Sequence, residues 1–535
     1  MSSRPFQLVA RQCSNLALVA ALLALLVTAA SGQEAKSKVV EETWEAVYIR
    51  GQNQGYVLHG YVHTTIEQRG TDEEMILRGT QEMKLTFQRD GQKAELRAEQ
   101  GTEERPDGLV TAVFFQTGLG RKLEMKRTGR LVGKKMEIKT EGPNTPDREL
   151  DWNPKVVGLA REQNLLRDKK VKPGDSFTYY SYQPAINNVA TVKVEVKAIE
   201  KTDLPGAQPR KLLRVELRPE ALKINENGGE PIRLQLPGAT LWVEPDTYKP
   251  VKSENEVPGL PKLILLRTTK EVATAETGQV IDFIAEQSIR LREPIPGIHA
   301  ANAVTYRMTL RGEGAEVKGL VREDARQQLI NVKGKTFDLH VEALRKPEAP
   351  SDPLEKRPPA GEEYRVSNTF ITSDDPKVRE LAREAAGDTT GAWKKAQRIE
   401  RWVHDNMKPV DYGETLATAA HVARTMSGDC TEYAMLTAAM CRAEGIPSRT
   451  AIGLVYVDHA RFGPVLAFHM WTEVFIQGQW LALDATQGKG SVGPGHIKIT
   501  DHHWNKIEDF SPLLPVMSFL QSKPSVEVIS YRRAE

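Results

Sequence analysis

Three side chains in the last quarter of this 535-residue chain have the types and order of a thiol-based acyl-transfer set: Cys430, His469 and Asp484. A cysteine supplies the nucleophile, a histidine takes and returns its proton, and a carboxylate orients the imidazole. Such a set acts on amides and esters.

The elements that must position them are legible locally. Ser427-Gly428-Asp429-Cys430 precedes an apolar helical pattern. Asp429 is a favourable N-cap, and Glu432 three residues on completes a capping box. Tyr433, Leu436, Met440 and Ala443 form the stripe expected to be buried, and Gly445 with Pro447 stops the helix. Cys430 then sits in the first turn. Unpaired N–H groups point outward there, and the helix dipole favours the thiolate. The same N–H groups suit a developing oxyanion. Cys441, near the helix end, reads as a small buried residue.

His469 and Asp484 are joined by a hairpin argument. Met470 to Ile476 and Trp480 to Ala485 both alternate, with Gln477-Gly478 as the turn between them. A two-residue loop sets Ile476 opposite Gln479 and Trp471 opposite Asp484. His469 then shares a face with Asp484 and lies diagonal to it, about 7–8 Å away at the backbone. A four-residue loop keeps this register, and a three-residue loop destroys it.

Composition bounds the rest. The chain is 40% hydrophobic and 27% charged, which supports an ordinary core and about three domains. Residues 1–32 read as a secretory signal peptide: Arg4 and Arg11, an apolar run from Leu16 to Ala30, then small residues at Ala29-Ala30-Ser31-Gly32. The alternative is a retained anchor, but the run is short against the roughly 20 residues of a membrane span. Without the leader the chain carries equal numbers of basic and acidic side chains, which gives no reason to propose nucleic acid as a partner. No stable membrane span is expected after signal removal. Cys430 and Cys441, on one helix, lie about 16 Å apart along its axis at 1.5 Å per residue. A disulfide needs about 7 Å or less. A secreted or periplasmic protein with unbridged thiols needs a reason for them, and catalysis is one.

Residues 33–293 look β-rich, with runs such as Met83 to Phe87 and Thr191 to Val196 separated by turn signals. Their charged outer faces argue for antiparallel sheet, in one domain or two. The stretch Thr240 to Asp246, followed by Pro250 to Ser253, resembles the long sheets of bacterial lipoprotein-carrier-like domains. A small β segment is expected at 294–345, a Pro-rich linker at 346–362, and a helical-then-β domain at 363–535, an α+β order. Asp375-Pro376 opens its first helix. Ala392, Ala396, Ile399 and Val403 mark a second, and a third is expected over Leu416 to Thr425.

Residues 370 to 490 resemble the bacterial transglutaminase-like domain. The resemblance runs through Trp402-Val403, Gly428-Asp429-Cys430, Cys441-Arg442-Ala443, Gly445-Ile446-Pro447-Ser448-Arg449, Gly453, His469-Met470-Trp471-Thr472-Glu473-Val474 and Trp480 to Thr486. It implies a papain-like transglutaminase core preceded by the large antiparallel β-rich region. It also implies Cys430 as nucleophile, His469 as general base and acid, and Asp484 as orienting residue. Ser448 stands where Ala is usual, and Ala485 where Pro often follows the Asp; the second change bears on how Asp484 is held.

The expected activity is acyl transfer at amide bonds of a protein or peptide substrate in the cell envelope, by a peptidase or deamidase more than by a cross-linker. Two rivals stand beside it: an envelope scaffold with a non-catalytic module, and a small-molecule amine acyltransferase. No cofactor is expected. Cys430, His469 and Asp484 are also possible zinc ligands, but no Cys-x-x-Cys or His-Glu-x-x-His pattern accompanies them. No EF-hand loop appears, so the resemblance carries no calcium dependence over. His502-His503 is expected to lie in a solvated loop, and Asp374-Asp375 to cap a helix. The sequence assigns no oligomeric state.

Overall fold

The computed structural model describes residues 37–533 apart from 52–54, 71–74, 90–91, 120–121, 142–146, 185, 225–231, 235, 257–261, 277–279, 281–287, 313–316, 348–358, 410–416, 460–462 and 506–513. The leader at 1–32 and most of the 346–362 linker therefore lie outside the described residues. Among the described residues no helix is long and apolar enough to cross a membrane.

Alternation builds the first half. In Asn188–Leu204, Val192, Val194 and Val196 are buried while Lys193 is exposed. Strands of this kind assemble into one antiparallel sheet of 14 strands between Lys38 and Thr268. Lys38–Gly51 lies in its middle, between Gly55–Arg69 and the far later Leu263–Thr268. The sheet curls until its ends meet. Val156, just past the outermost strand Arg148–Asp151, bridges Tyr180 on the opposite outermost strand Ser176–Gln183. Arg127 Nη1 donates to the Pro184 carbonyl at 2.6 Å. Trp152 and Val156 close the seam over Val110, Val113, Met136 and Ile138. Short helical turns at Leu159–Glu162 and Leu165–Lys169 follow, the first anchored by Ala160 N–H on Glu104 Oε1 at 2.8 Å.

The second half is a different unit. Ala303–Leu310 pairs with Thr336–Glu342 on one side and with Pro524–Arg532 on the other. The 294–345 segment thus shares its sheet with residues 524–532. It also shares its core with the helices: Tyr306, Met308 and Phe337 join Ile399, Val403, Leu436 and Met440 in one continuous apolar cluster. Tyr306 donates to the Pro494 carbonyl at 2.9 Å, and Gln327 bonds Lys498 through both side-chain atoms.

The helices follow the sequence signals. Asp375 caps Pro376–Ala386, accepting from Lys377 N–H at 2.9 Å, while Asp374 bonds Ser367 instead. Ala392–Asn406 buries Ala396, Ile399 and Val403. Thr418 caps Ala419–Thr425. Cys430–Ala443 is buried almost all round, beyond the stripe expected, because helices enclose it on one side and sheet on the other.

One expectation fails. His502 is no part of a solvated loop: it ends the strand His496–His502, is buried, and accepts from Trp504 N–H at 2.9 Å. His503 accepts from Asn505 N–H in the same way, and the two rings stack with centroids 5.2 Å apart. Each ring accepts from the backbone N–H two residues on, and the in-out alternation of burial carries His502 inward and leaves His503 half-buried. Burial lowers His502 to about 3.

Candidate active site

Cys430 is the first residue of its helix. Asp429 accepts from Thr431 N–H at 2.9 Å, and Glu432 reaches back to Asp429 N–H at 2.9 Å, so the capping box forms. Gly428 is needed for this closeness, since a Cβ there would sit 2.4 Å from Glu432 Cβ. Ser427–Gly428 runs parallel to Lys408–Pro409, and Tyr433 donates to the Met407 carbonyl at 3.0 Å, which ties the helix start down. Asp429→Ala is expected to cost about 1 kcal/mol of stability and to slow alkylation of Cys430, read by thermal melting and by mass spectrometry.

The hairpin has the two-residue loop. Ile476 faces Gln479 and Thr472 faces Leu483, with φ of 51° at Gln477 and 79° at Gly478, the left-handed pair such a turn requires. Asp484 follows directly after the strand. Its Oδ2 lies 2.9 Å from His469 Nε2. That leaves Nδ1 of His469 for Cys430, with which the ring is also hydrogen-bonded. The three expected residues are therefore in contact: thiol, imidazole, carboxylate.

Electrostatics follow from burial. Burial pushes His469 down, but the Asp484 charge and hydrogen bond, with Cys430, outweigh it and raise the ring to about 10. The ring is therefore held toward its protonated form. Burial pushes Asp484 up, and His469 and His496 together hold it well below the usual carboxylate range. Cys441 is pushed upward by burial and stays a thiol.

Two features escaped the sequence. His496 Nε2 lies 2.9 Å from the same Asp484 Oδ2, while Oδ1 accepts from Thr486 N–H at 3.0 Å and Thr486 Oγ1 at 2.6 Å. Burial, reinforced by His469 and His299, lowers His496 to about 4 despite Asp484. The second feature is the helix Ala392–Asn406, which clamps the loop after Asp484. Gln397 bonds the Gly490 carbonyl, Glu400 accepts from Gly490 N–H, Arg401 bonds the Gly488 carbonyl and His404 the Ala485 carbonyl. Only an isolated polar residue on an apolar stripe, Glu400, signalled it.

His469, Asp484 and His496 each offer one ligand atom within 4.8 Å of the others. Both nitrogens lie at hydrogen-bond distance from one carboxylate oxygen, and that pairing accounts for the cluster without an ion.

On the same strand, Glu473 is fully buried with Arg449 at 2.7 Å and Lys498 at 3.0 Å. Burial raises Glu473, but the two cations outweigh it and bring it down to about 2.

The transglutaminase-like superfamily model matches residues 379–485. No curated protein matches the chain significantly. Several solved structures are similar, three of them as follows. A candidate cysteine protease from Cytophaga hutchinsonii is 18% identical, covering 43% of this chain and 81% of that one, with TM-score 0.26. A β-barrel-like protein of the DUF1849 domain from Brucella abortus is 11% identical, covering 44% and 97%, with TM-score 0.30. The periplasmic domain of TgpA from Pseudomonas aeruginosa is 16% identical, covering 35% and 91%, with TM-score 0.23. The chain carries a transglutaminase-like domain at residues 379–485, behind a large antiparallel sheet.

Proposed function

We propose that the chain is an exported cysteine enzyme that transfers acyl groups from amide bonds of protein or peptide, through Cys430, His469 and Asp484. The supporting observation is the unbroken contact from the Asp484 carboxylate through His469 to the thiol at a helix N-terminus. The leader sequence at 1–32 supports export to the periplasm or beyond.

In this reading the Cys430 thiolate attacks the amide carbonyl carbon. The oxyanion that forms is met by the backbone N–H of Cys430, since the capping box takes the next two. His469 gives its proton to the departing amine or ammonia as the C–N bond breaks, leaving a thioester. A water then attacks the thioester, losing its proton to His469, and the acid departs with the thiolate restored. Hydrolysis is favoured over amine transfer because water is abundant.

The test combines a probe with a product. A thiol-directed reagent should label the mature protein and not Cys430→Ala, with Cys441 unlabelled in both. Mass spectrometry of envelope proteins incubated with the enzyme then reads the reaction: glutamine becoming glutamate marks a deamidase, cleaved chains a protease, joined chains a cross-linker. Equal labelling of wild type and Cys430→Ala would refute the reading.

A further inference from the structure

We propose that His496 is a positioning residue for this reaction: by donating Nε2–H to the Asp484 oxygen that also accepts from His469, it fixes the carboxylate that holds the imidazolium. This rests on the reading of Cys430 as nucleophile. His496 lies beyond the 379–485 match.

The hydrogen-bond count argues for it. Asp484 is 2% exposed and accepts four bonds, two at each oxygen. Thr486 secures Oδ1 alone, and a carboxylate held at one oxygen can still swing the other. The second donor at Oδ2 removes that freedom. His496 is itself rigid, fully buried between Trp471 and His299, with ring centroids 5.3 Å and 5.5 Å away. His299 is anchored by its Nε2 on the Tyr456 carbonyl at 3.0 Å.

The tautomer follows from the same geometry. Oδ2 can only accept, so Nε2 of His496 carries the proton. Its Nδ1 is buried without a partner among the described residues. A second N–H there would bury an unsatisfied cationic donor, so Nδ1 holds a lone pair and the ring is neutral. The titratable groups facing it are Asp484, His469 and His299. A neutral donor at Oδ2 steadies the carboxylate and leaves its full negative charge to His469. A second imidazolium there would compete for it.

The experiment measures iodoacetamide alkylation of Cys430 against pH in the mature chain, peptide by peptide, with Cys441 as the buried control. Wild type should show a plateau, with an alkaline edge where the His469 proton leaves. In His496→Ala the plateau should fall about tenfold, the loss of one charge-assisted hydrogen bond. The alkaline edge should move down, because the imidazolium is held less firmly. His496→Gln, whose amide N–H can reach Oδ2, should recover most of both.

A folded His496→Ala with the wild-type plateau and edge would overturn this inference and leave the Cys430 reading standing. A wild type with no plateau would overturn both. Should His496→Ala not fold, histidine-selective nitrogen NMR of the wild type decides: a neutral Nε2–H ring supports the assignment, and an Nδ1–H tautomer or an imidazolium ends it.

Discussion

Asp484→Asn is expected to lower turnover about 10⁴-fold, and Cys430→Ala to abolish it, with both variants folded. The asparagine keeps the volume and one acceptor oxygen. It removes the charge that, against burial, raises His469 to about 10. The amide can also present its NH₂ to the imidazole, which selects the wrong tautomer for a proton-accepting Nδ1. The ring then loses what holds its second proton. Ammonia release from a glutamine-bearing protein, once one is identified by mass spectrometry, measures the loss. Histidine-selective nitrogen NMR measures the change in His469 protonation without any substrate. An Asp484→Asn enzyme as active as wild type, with His469 still doubly protonated, would remove the carboxylate from the mechanism.

How much of this was written locally depended on sequence distance. The capping box spans Asp429 to Glu432, and the hairpin turn spans Gln477 and Gly478, so short-range rules placed the thiol at a helix tip and the imidazole beside the carboxylate, while their convergence rested on the family resemblance. His496 was out of reach of such rules. It faces Asp484 only because His496–His502 pairs with Ser448–His459 and a bulge between Ile452 and Gly453 shifts the register there. No periodicity in either strand reveals that shift. The N-terminal half divides the same way. Its strands alternate visibly, but their union into one curled sheet depends on Lys38–Gly51 meeting Leu263–Thr268, more than two hundred residues on. The solvated loop expected at His502-His503 failed because His502 ends a strand paired with Ser448–His459 and its alternation turns the ring inward, a pairing between distant segments.

Glu473→Gln is expected to destabilise the C-terminal unit by about 3–5 kcal/mol, the cost of breaking a buried ion pair from one side. Arg449 and Lys498 are both buried, and each would lose its nearest shared anion, keeping Asp501 and, for Lys498, Asp324. The pH dependence gives the sign. Glu473 is lowered in the fold to about 2 from 4.5, so its contribution is full above about 4.5 and is lost as pH falls toward 2. Acid melting curves of the variant should therefore be flatter over that window than those of wild type. Equal melting temperatures at pH 7 would show that the network contributes nothing net.

The strand Ala303–Leu310 keeps one edge open until Pro524–Arg532 reaches it. During synthesis, Cys430, His469 and Asp484 emerge from the ribosome well before residues 524–532 do. The four-stranded sheet that shares its core with the helices is thus completed late in synthesis. A premature stop codon a dozen positions short of 535 would accordingly strip the last strand from that sheet and uncover the shared core, rather than trim a dispensable tail.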